Sequence, residues 1–268
     1  MLVVKIGGNH GLDIRTICTD LAEVITSGEQ VVLVHGGSYE TDIISEKLGK
    51  PPRFVTSLSG YQSRYTDRET LEIFTMVAAG KLNKLIVERL QQLGINALGL
   101  SGIDGRLLEG KRKSVLKVVE DGKAKVLRGD WSGKIERVNV QLLELLLENG
   151  YTPVVSPLAI SYEGEAVNVD GDRAAAAISA ALHADVLAIL SNVPGLLKNF
   201  PDEATLIPYI QREQVGEFIE RYAQGRMKKK LLGAIESLEG GVRRVIIADG
   251  RVQNPVRSAL AGKGTIIE

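Results

Sequence analysis

The chain has 268 residues, with 33 Lys and Arg against 33 Asp and Glu, for a formal net charge of zero. A neutral chain exerts no global pull on phosphate backbones or anionic lipid, so neither nucleic acid nor a membrane surface is an expected partner. With 44% apolar and 25% charged residues it is too apolar for disorder; its single cysteine, Cys18, excludes an internal disulfide, and its three histidines, His10, His35 and His183, lack the spacing of metal ligands.

Leu2-Val3-Val4-Lys5-Ile6 is an apolar, β-branched run ending in Gly7-Gly8, and Val31-Val32-Leu33-Val34 ends in His35-Gly36-Gly37. Both read as buried strands feeding glycine turns. Between them Ile14, Ile17, Cys18, Leu21, Ala22 and Ile25 recur at helical spacing, with Asp13 as N-cap and Gly28 as stop, which makes a β-α-β unit. Helices are predicted over 38–48 and, in two patterns broken near Gly80, over 66–93, followed by a buried strand over 97–100. Residues 106–138 alternate around the turn Asp121-Gly122 and predict a β-hairpin excursion. The α/β rhythm then resumes: helix 140–148, strand 152–156, hairpin near 160–167, alanine-rich helix 172–183 and strand 186–190. Helices near 211–222 and 227–238, a strand over 242–247, a helix over 255–260 and a strand over 265–267 complete the chain. This alternation predicts an α/β fold with a mainly parallel sheet covered on both faces. No apolar run approaches the roughly 20 residues of a membrane-spanning helix, and no secretory signal opens the chain; a cytosolic protein is expected.

In such a sheet ligands collect at the carboxyl ends of the strands. Gly7-Gly8 and Gly36-Gly37 stand there, and without Cβ atoms they let a phosphate approach main-chain N–H groups. Lys5 interrupts a strand that otherwise reads as buried, and a buried lysine demands an anion. Asp172 lies where a strand-like segment passes into the alanine-rich helix; it reads either as a site carboxylate or as the N-cap, and Asp170 is the adjacent alternative for either role. Gly225-Arg226-Met227-Lys228-Lys229-Lys230 packs cations at a helix start, where the dipole disfavours them unless an anion binds; Lys228 or Lys229 also reads as part of a solvated face. There is no Walker A loop, no G-x-G-x-x-G after the first strand and no G-x-S-x-G elbow.

Lys5-Ile6-Gly7-Gly8, His35-Gly36-Gly37-Ser38, Ser63-Arg64-Tyr65-Thr66-Asp67, Asn168-Val169-Asp170-Gly171-Asp172, Ser191-Asn192-Val193-Pro194-Gly195 and Gly225 to Lys230 follow one another in this order across the chain. Together they resemble the amino acid kinase family, with acetylglutamate kinase its nearest branch by these motifs. The resemblance implies a three-layer αβα sandwich with an acceptor-binding N-terminal lobe, residues 1–170, and an ATP-binding C-terminal lobe, residues 171–268. It makes Lys5 and Lys230 the lysines that meet the transferring phosphoryl group, Asp172 the carboxylate that orients both, and Gly8, Gly36 and Gly37 backbone donors. Arg64 and Asn168 would hold the acceptor's α-carboxylate end, with Gly36 and Gly37 beside them. Gly8, Ser191, Asn192, Gly225 and Met227 would lie against the nucleotide, with Mg²⁺ held through its phosphates rather than by protein ligands. A homodimer is expected. The chain begins almost directly at its first strand, so arginine feedback through an extra N-terminal helix is not expected.

Phosphoryl transfer is catalysed mainly by positioning and charge neutralisation, which two lysines supply. A carboxylate acceptor, ordinarily with a pKa near 4.3, is already ionised at neutral pH and needs no general base. Two departures point away from free N-acetylglutamate as that acceptor: Ser38 stands where a third glycine is common, and residues 106–138 carry ten Lys and Arg against five Asp and Glu, a local charge of +5. Both resemble the branch in which α-aminoadipate, or glutamate, is carried on the C-terminus of a small acidic amino-group carrier protein. Lys111, Arg112, Lys113, Lys117 and Arg128 would then form a basic rim that steers the carrier. Alternatives are an N-acetylglutamate kinase and, in another class, a regulatory module that binds nucleotide without turnover.

Overall fold

A computed structural model of the chain describes every residue except Asn9, Ser59, Tyr61 and Asp121. Asp121, half of the predicted hairpin turn, thus lies outside the described residues. Strand β1 (Leu2–Ile6), helix α1 (Ile14–Thr26) and strand β2 (Val31–His35) form the predicted β-α-β unit, and Asp13 caps α1 by accepting from the Arg15 amide at 3.0 Å. After α2 (Ser38–Lys47) come two short strands, β3 (Phe54–Ser57) and β4 (Gln62–Arg64), too exposed and too little alternating to be marked in the sequence. Helices α3 (Arg68–Thr75) and α4 (Asn83–Gln92) run on through a π-helical stretch, Met76–Leu82, so Gly80 sits inside a wide turn and not at a break.

Strand β5 (Ala97–Ser101) precedes the excursion, which holds β6 (Leu108–Arg112), β7 (Val115–Glu120), β8 (Lys123–Arg128) and β9 (Gly133–Val138). Then follow α5 (Val140–Glu148), β10 (Thr152–Ser156), β11 (Leu158–Ser161), β12 (Ala166–Asn168), α6 (Gly171–Ala181) and β13 (Val186–Ser191). The chain closes with β14 (Tyr209–Ile210), α7 (Val215–Tyr222), α8 (Arg226–Glu239), β15 (Arg244–Asp249), α9 (Pro255–Leu260) and β16 (Thr265–Ile267). The excursion is two nested hairpins: β7 pairs β8 in a sheet ordered β4-β3-β7-β8, while β6 pairs β9 in a sheet ordered β12-β11-β6-β9.

The main sheet has eight strands in the order β14-β16-β15-β13-β1-β2-β10-β5. From β15 to β5 all pairings are parallel; β16 runs against β15 and carries β14 alongside. One layer, α1, α4 and α9, packs on one face through Ile17, Leu21, Leu90 and Val256; the other, α5, α6 and α8, packs on the opposite face through Leu143, Ile178, Leu231 and Leu238. This is the three-layer αβα sandwich. Because side chains alternate along a strand, Leu2, Val4 and Ile6 of β1 enter the first layer while Val3 enters the second. Lys5 shares the face of Val3, the face on which α6 and α8 lie. From β1 the chain continues to β2 on one side, and from β13 to β15 on the other, so the β1/β13 pair is the topological switch point where such sheets open a crevice.

Candidate active site

Three charges meet on that face. Lys5 of β1, Asp172 in the first turn of α6 and Lys230 in α8 are 5%, 7% and 5% exposed. Lys5 Nζ lies 2.6 Å from Asp172 Oδ1, and Lys230 Nζ lies 3.1 Å and 3.0 Å from Oδ1 and Oδ2. The ambiguity between two aspartates resolves by division of labour: Asp170 is the N-cap of α6, accepting from the amides of Asp172 and Arg173 at 3.0 and 3.2 Å, which frees the Asp172 carboxylate for the lysines. Burial opposes ionisation of Asp172, but Lys230 and Lys5 overcome it and hold its carboxyl well below the ordinary carboxylate range. Burial pushes the Lys230 ammonium below its ordinary value, against the attraction of Asp172 and with the repulsion of Lys5. Two buried ammonium groups around one carboxylate leave a net positive charge at the carboxyl end of the sheet, which is a place for an anion.

The glycine turns sit against one another beside this trio. A Cβ on Gly8 would come within 2.5 Å of the Gly37 nitrogen, and one on Gly36 within 2.5 Å of the Gly8 nitrogen, so glycine is required at both for the turns to touch. Gly36 departs from its expected role as a donor, because its amide is spent on the Ile6 carbonyl at 2.8 Å. The amides of Gly8 and Gly37 donate to no main-chain carbonyl among the described residues. Ser38, the residue in place of a third glycine, donates its hydroxyl to the Gly8 carbonyl at 3.0 Å and so ties the two turns together.

Arg64 and Asn168 lie on the same side, linked through neighbours. Arg64, at the end of β4, forms an ion pair with Asp42 at 2.6 Å and donates to the Ser38 carbonyl at 3.2 Å. Asn168, at the end of β12, donates to the Thr66 hydroxyl at 3.1 Å, and Thr66 in turn donates to the Arg64 carbonyl at 3.3 Å. Asp42 was not marked by sequence, and only the fold puts it beside Arg64; Thr66 lies within the Ser63-to-Asp67 motif, but nothing local shows that it joins Arg64 to Asn168. Ser191 closes β13 next to β1, with Asn192 following, and its carbonyl accepts from the Gly250 amide at 2.7 Å. Gly225 takes a positive φ of 51° to start α8, and Met227 packs partly into the core in the first turn of the helix that carries Lys230. Of the two lysines expected on a solvated face, Lys229 has partners: it donates to the Gln62 carbonyl of β4 at 2.9 Å and lies 3.8 Å from Asp170.

The basic excursion is less uniform than its composition suggests. Arg112 is withdrawn from the rim: its guanidinium stacks 3.5 Å from the Trp131 ring centroid, donates to both Glu165 carboxylate oxygens at 3.1 Å and to the Asp130 carbonyl at 2.9 Å. Lys111 remains exposed beside Glu136 at 3.5 Å. Among the described residues Lys113, Lys117 and Arg128 are exposed and join no ion pair.

The sequence profile of the amino acid kinase family matches residues 1–249. The chain is 59% identical over 267 residues to a Deinococcus radiodurans protein named LysW-aminoadipate kinase, covering 100% of this chain and 91% of that protein. It is 52% identical over 269 residues to the LysW-aminoadipate kinase of Thermus thermophilus, covering 100% of each. Among solved structures it is similar to N-acetylglutamate synthase from Neisseria gonorrhoeae complexed with coenzyme A and N-acetyl-glutamate, with a TM-score of 0.80, 25% identity, and coverage of 99% of this chain and 58% of that one. The chain belongs to the amino acid kinase family. It is a phosphotransferase.

Proposed function

We propose that this kinase transfers the γ-phosphoryl group of ATP to the side-chain carboxylate of α-aminoadipate held on a small acidic carrier protein, in lysine biosynthesis, with carrier-linked glutamate as a second acceptor. The observation that carries the reading is the buried trio: Asp172 holds Lys5 and Lys230 within 3.1 Å of one carboxylate, at the mouth of the switch-point crevice. Relatives named for LysW-linked aminoadipate supply the acceptor. Mg²⁺ would enter with ATP, held through the nucleotide's phosphates rather than by protein ligands, and would neutralise part of their charge. The glycine turns fit that ligand, since their contact needs residues without Cβ and leaves the Gly8 and Gly37 amides open.

In this reading residues 1–170 present the acceptor and residues 171–268 the nucleotide. Asp42 fixes the Arg64 guanidinium and leaves its remaining N–H donors for the acceptor's α-carboxylate end. Asn168 keeps one amide hydrogen beyond the one given to Thr66. Ser191, Asn192, Gly225 and Met227 flank the nucleotide. Lys5 and Lys230 then face the phosphoryl oxygens as negative charge passes from the attacking carboxylate to the bridge oxygen that leaves with ADP, and Asp172 keeps the two ammonium groups from separating. The acceptor attacks as a carboxylate, one P–O bond forms as another breaks, and no proton has to be removed. Lys113, Lys117 and Arg128 form the docking rim for the acidic carrier, with Lys111 at its border. A homodimer belongs to the same proposal. No helix among the described residues is long and apolar enough to cross a membrane.

A coupled assay with carrier-linked aminoadipate, carrier-linked glutamate and free N-acetylglutamate tests the reading. The first two are expected to turn over efficiently. Comparable kcat/KM on free N-acetylglutamate would overturn the carrier and leave an acetylglutamate kinase.

A further inference from the structure

His35 closes β2 with its ring buried, 1% exposed, at the base of the Gly36-Gly37 turn. Its Nδ1 lies 2.9 Å from the Gly36 carbonyl, which can only accept, so Nδ1 carries the proton. Nε2 is then the acceptor, and it lies 3.1 Å from the side-chain nitrogen of Asn83. Asn83 is fully buried and is held in turn: the same nitrogen lies 2.9 Å from the Val154 carbonyl of β10 and 3.3 Å from the Leu100 carbonyl of β5, and its oxygen accepts from Lys84 at 3.0 Å. Asn83 follows directly on the π-helical stretch Met76–Leu82, and a Cβ on Gly99 would strike its oxygen at 2.1 Å. A wide helical turn and a bare strand position therefore serve to bring one amide against one imidazole.

The Gly36–Gly37 peptide is planar and trans, so its C=O and N–H point in opposite directions. A ring that holds the Gly36 carbonyl directs the Gly37 N–H away from the core. That amide has no main-chain acceptor among the described residues, and the space beside it exists because Gly8 has no side chain. Burial lowers the His35 pKa to about 4, with Lys5 and Lys84 adding to the effect against the Gly36 bond, so the ring stays neutral in the tautomer the contacts require. We propose that His35, braced by Asn83, is a positioning residue that locks the Gly36–Gly37 peptide with its N–H presented to the reacting phosphoryl group. The inference rests on the kinase reading above.

Two substitutions separate the ends of the ring. The nitrogen of an asparagine side chain reaches where Nδ1 stands, whereas a glutamine amide reaches where Nε2 stands. His35→Asn is expected to keep kcat within about 3-fold, and His35→Gln, which loses the bond to Gly36, to lower it roughly 10- to 100-fold with KM for ATP and acceptor within about 2-fold. The Gly37 amide resonance should move in His35→Gln and stay in His35→Asn. Equal loss in both folded variants, or wild-type turnover in His35→Gln, would overturn the assignment. Should neither fold, ¹⁵N shifts of the wild-type imidazole decide: protonation on Nδ1 at neutral pH supports it, and protonation on Nε2 refutes it. The imidazole measurement needs no substrate, so failure of the wild-type enzyme on carrier-linked aminoadipate would count against the acceptor reading and leave this inference separately testable.

Discussion

Two sets of cations lie on this chain under opposite conditions. Lys5 and Lys230 are buried and share one carboxylate at about 3 Å, whereas Lys113, Lys117 and Arg128 stand in solvent without ion pairs among the described residues. In the first set each charge is strong, fixed and costly to uncover; in the second each is screened and acts only in sum. The contrast teaches that charge-rich composition near a site says little until burial is known. Arg112 makes the point from within the excursion: it sits in a run of cations yet is spent on Trp131 and Glu165.

The largest break in the comparison should come from Asp172→Asn. Removing the one negative charge leaves two buried ammonium groups facing each other, which costs on the order of 3–5 kcal/mol of stability and turnover with it. Denaturant midpoints with an unchanged slope would measure the first effect. Lys5→Met and Lys230→Met should behave differently, because each leaves a neutral Lys–Asp pair. Here kcat is expected to fall about 10²- to 10³-fold with modest change in KM, while the melting temperature holds or rises. A variant of either lysine that keeps wild-type kcat would end the two-lysine mechanism proposed here and place the contacts to the phosphoryl group on other residues.

Buried and exposed groups should also part in their response to acid. His35 is fully buried with its pKa lowered to about 4, facing Lys5 and Lys84, against an ordinary value near 6.5. Between those values the unfolded chain binds a proton the folded chain refuses, so stability rises with pH across this window. It is complete above about pH 6.5 and falls by about 3 kcal/mol as pH drops toward 4. Unfolding free energy as a function of pH should show that slope in the wild-type protein and lose it in His35→Asn.

Much of the fold could be read from the apolar pattern along the chain: the β-α-β start and the parallel sheet both follow from it. Lys5 was legible because a lysine in a buried strand lacks a local partner, and the cation run at the start of α8 because the helix dipole opposes it; Lys230 within that run, and Asp172 over Asp170, were singled out only by the family resemblance. What escaped depends on distance. Asp170 and Asp172 are equally good caps by residue type, and only the packing of α6 against β1 assigns them. His35 and Asn83 are 48 positions apart, and a buried asparagine after a helix-like stretch carries no periodic mark. Gly80 reads as a break because a wide turn and a helix end favour the same residue.

The smallest expected effect tests the exposed set. Reversing Lys113, Lys117 and Arg128 to Glu together should leave kcat within about 2-fold, raise KM for the carrier-linked acceptor about 10-fold and flatten its dependence on salt, because steering through solvent acts on encounter and is screened within about 10 Å at 0.1 M. KM for ATP should not move. Arg112→Ala supplies the internal control: its guanidinium lies inside the fold, so the loss should appear as a lower melting temperature with the salt dependence of KM unchanged. If the triple reversal leaves both KM and its salt dependence as they were, the excursion is a solvated surface and the carrier docks elsewhere. If Arg112→Ala alone reproduces the reversal, then stacking on Trp131 does not withdraw that charge, and burial fails as the criterion separating the two sets.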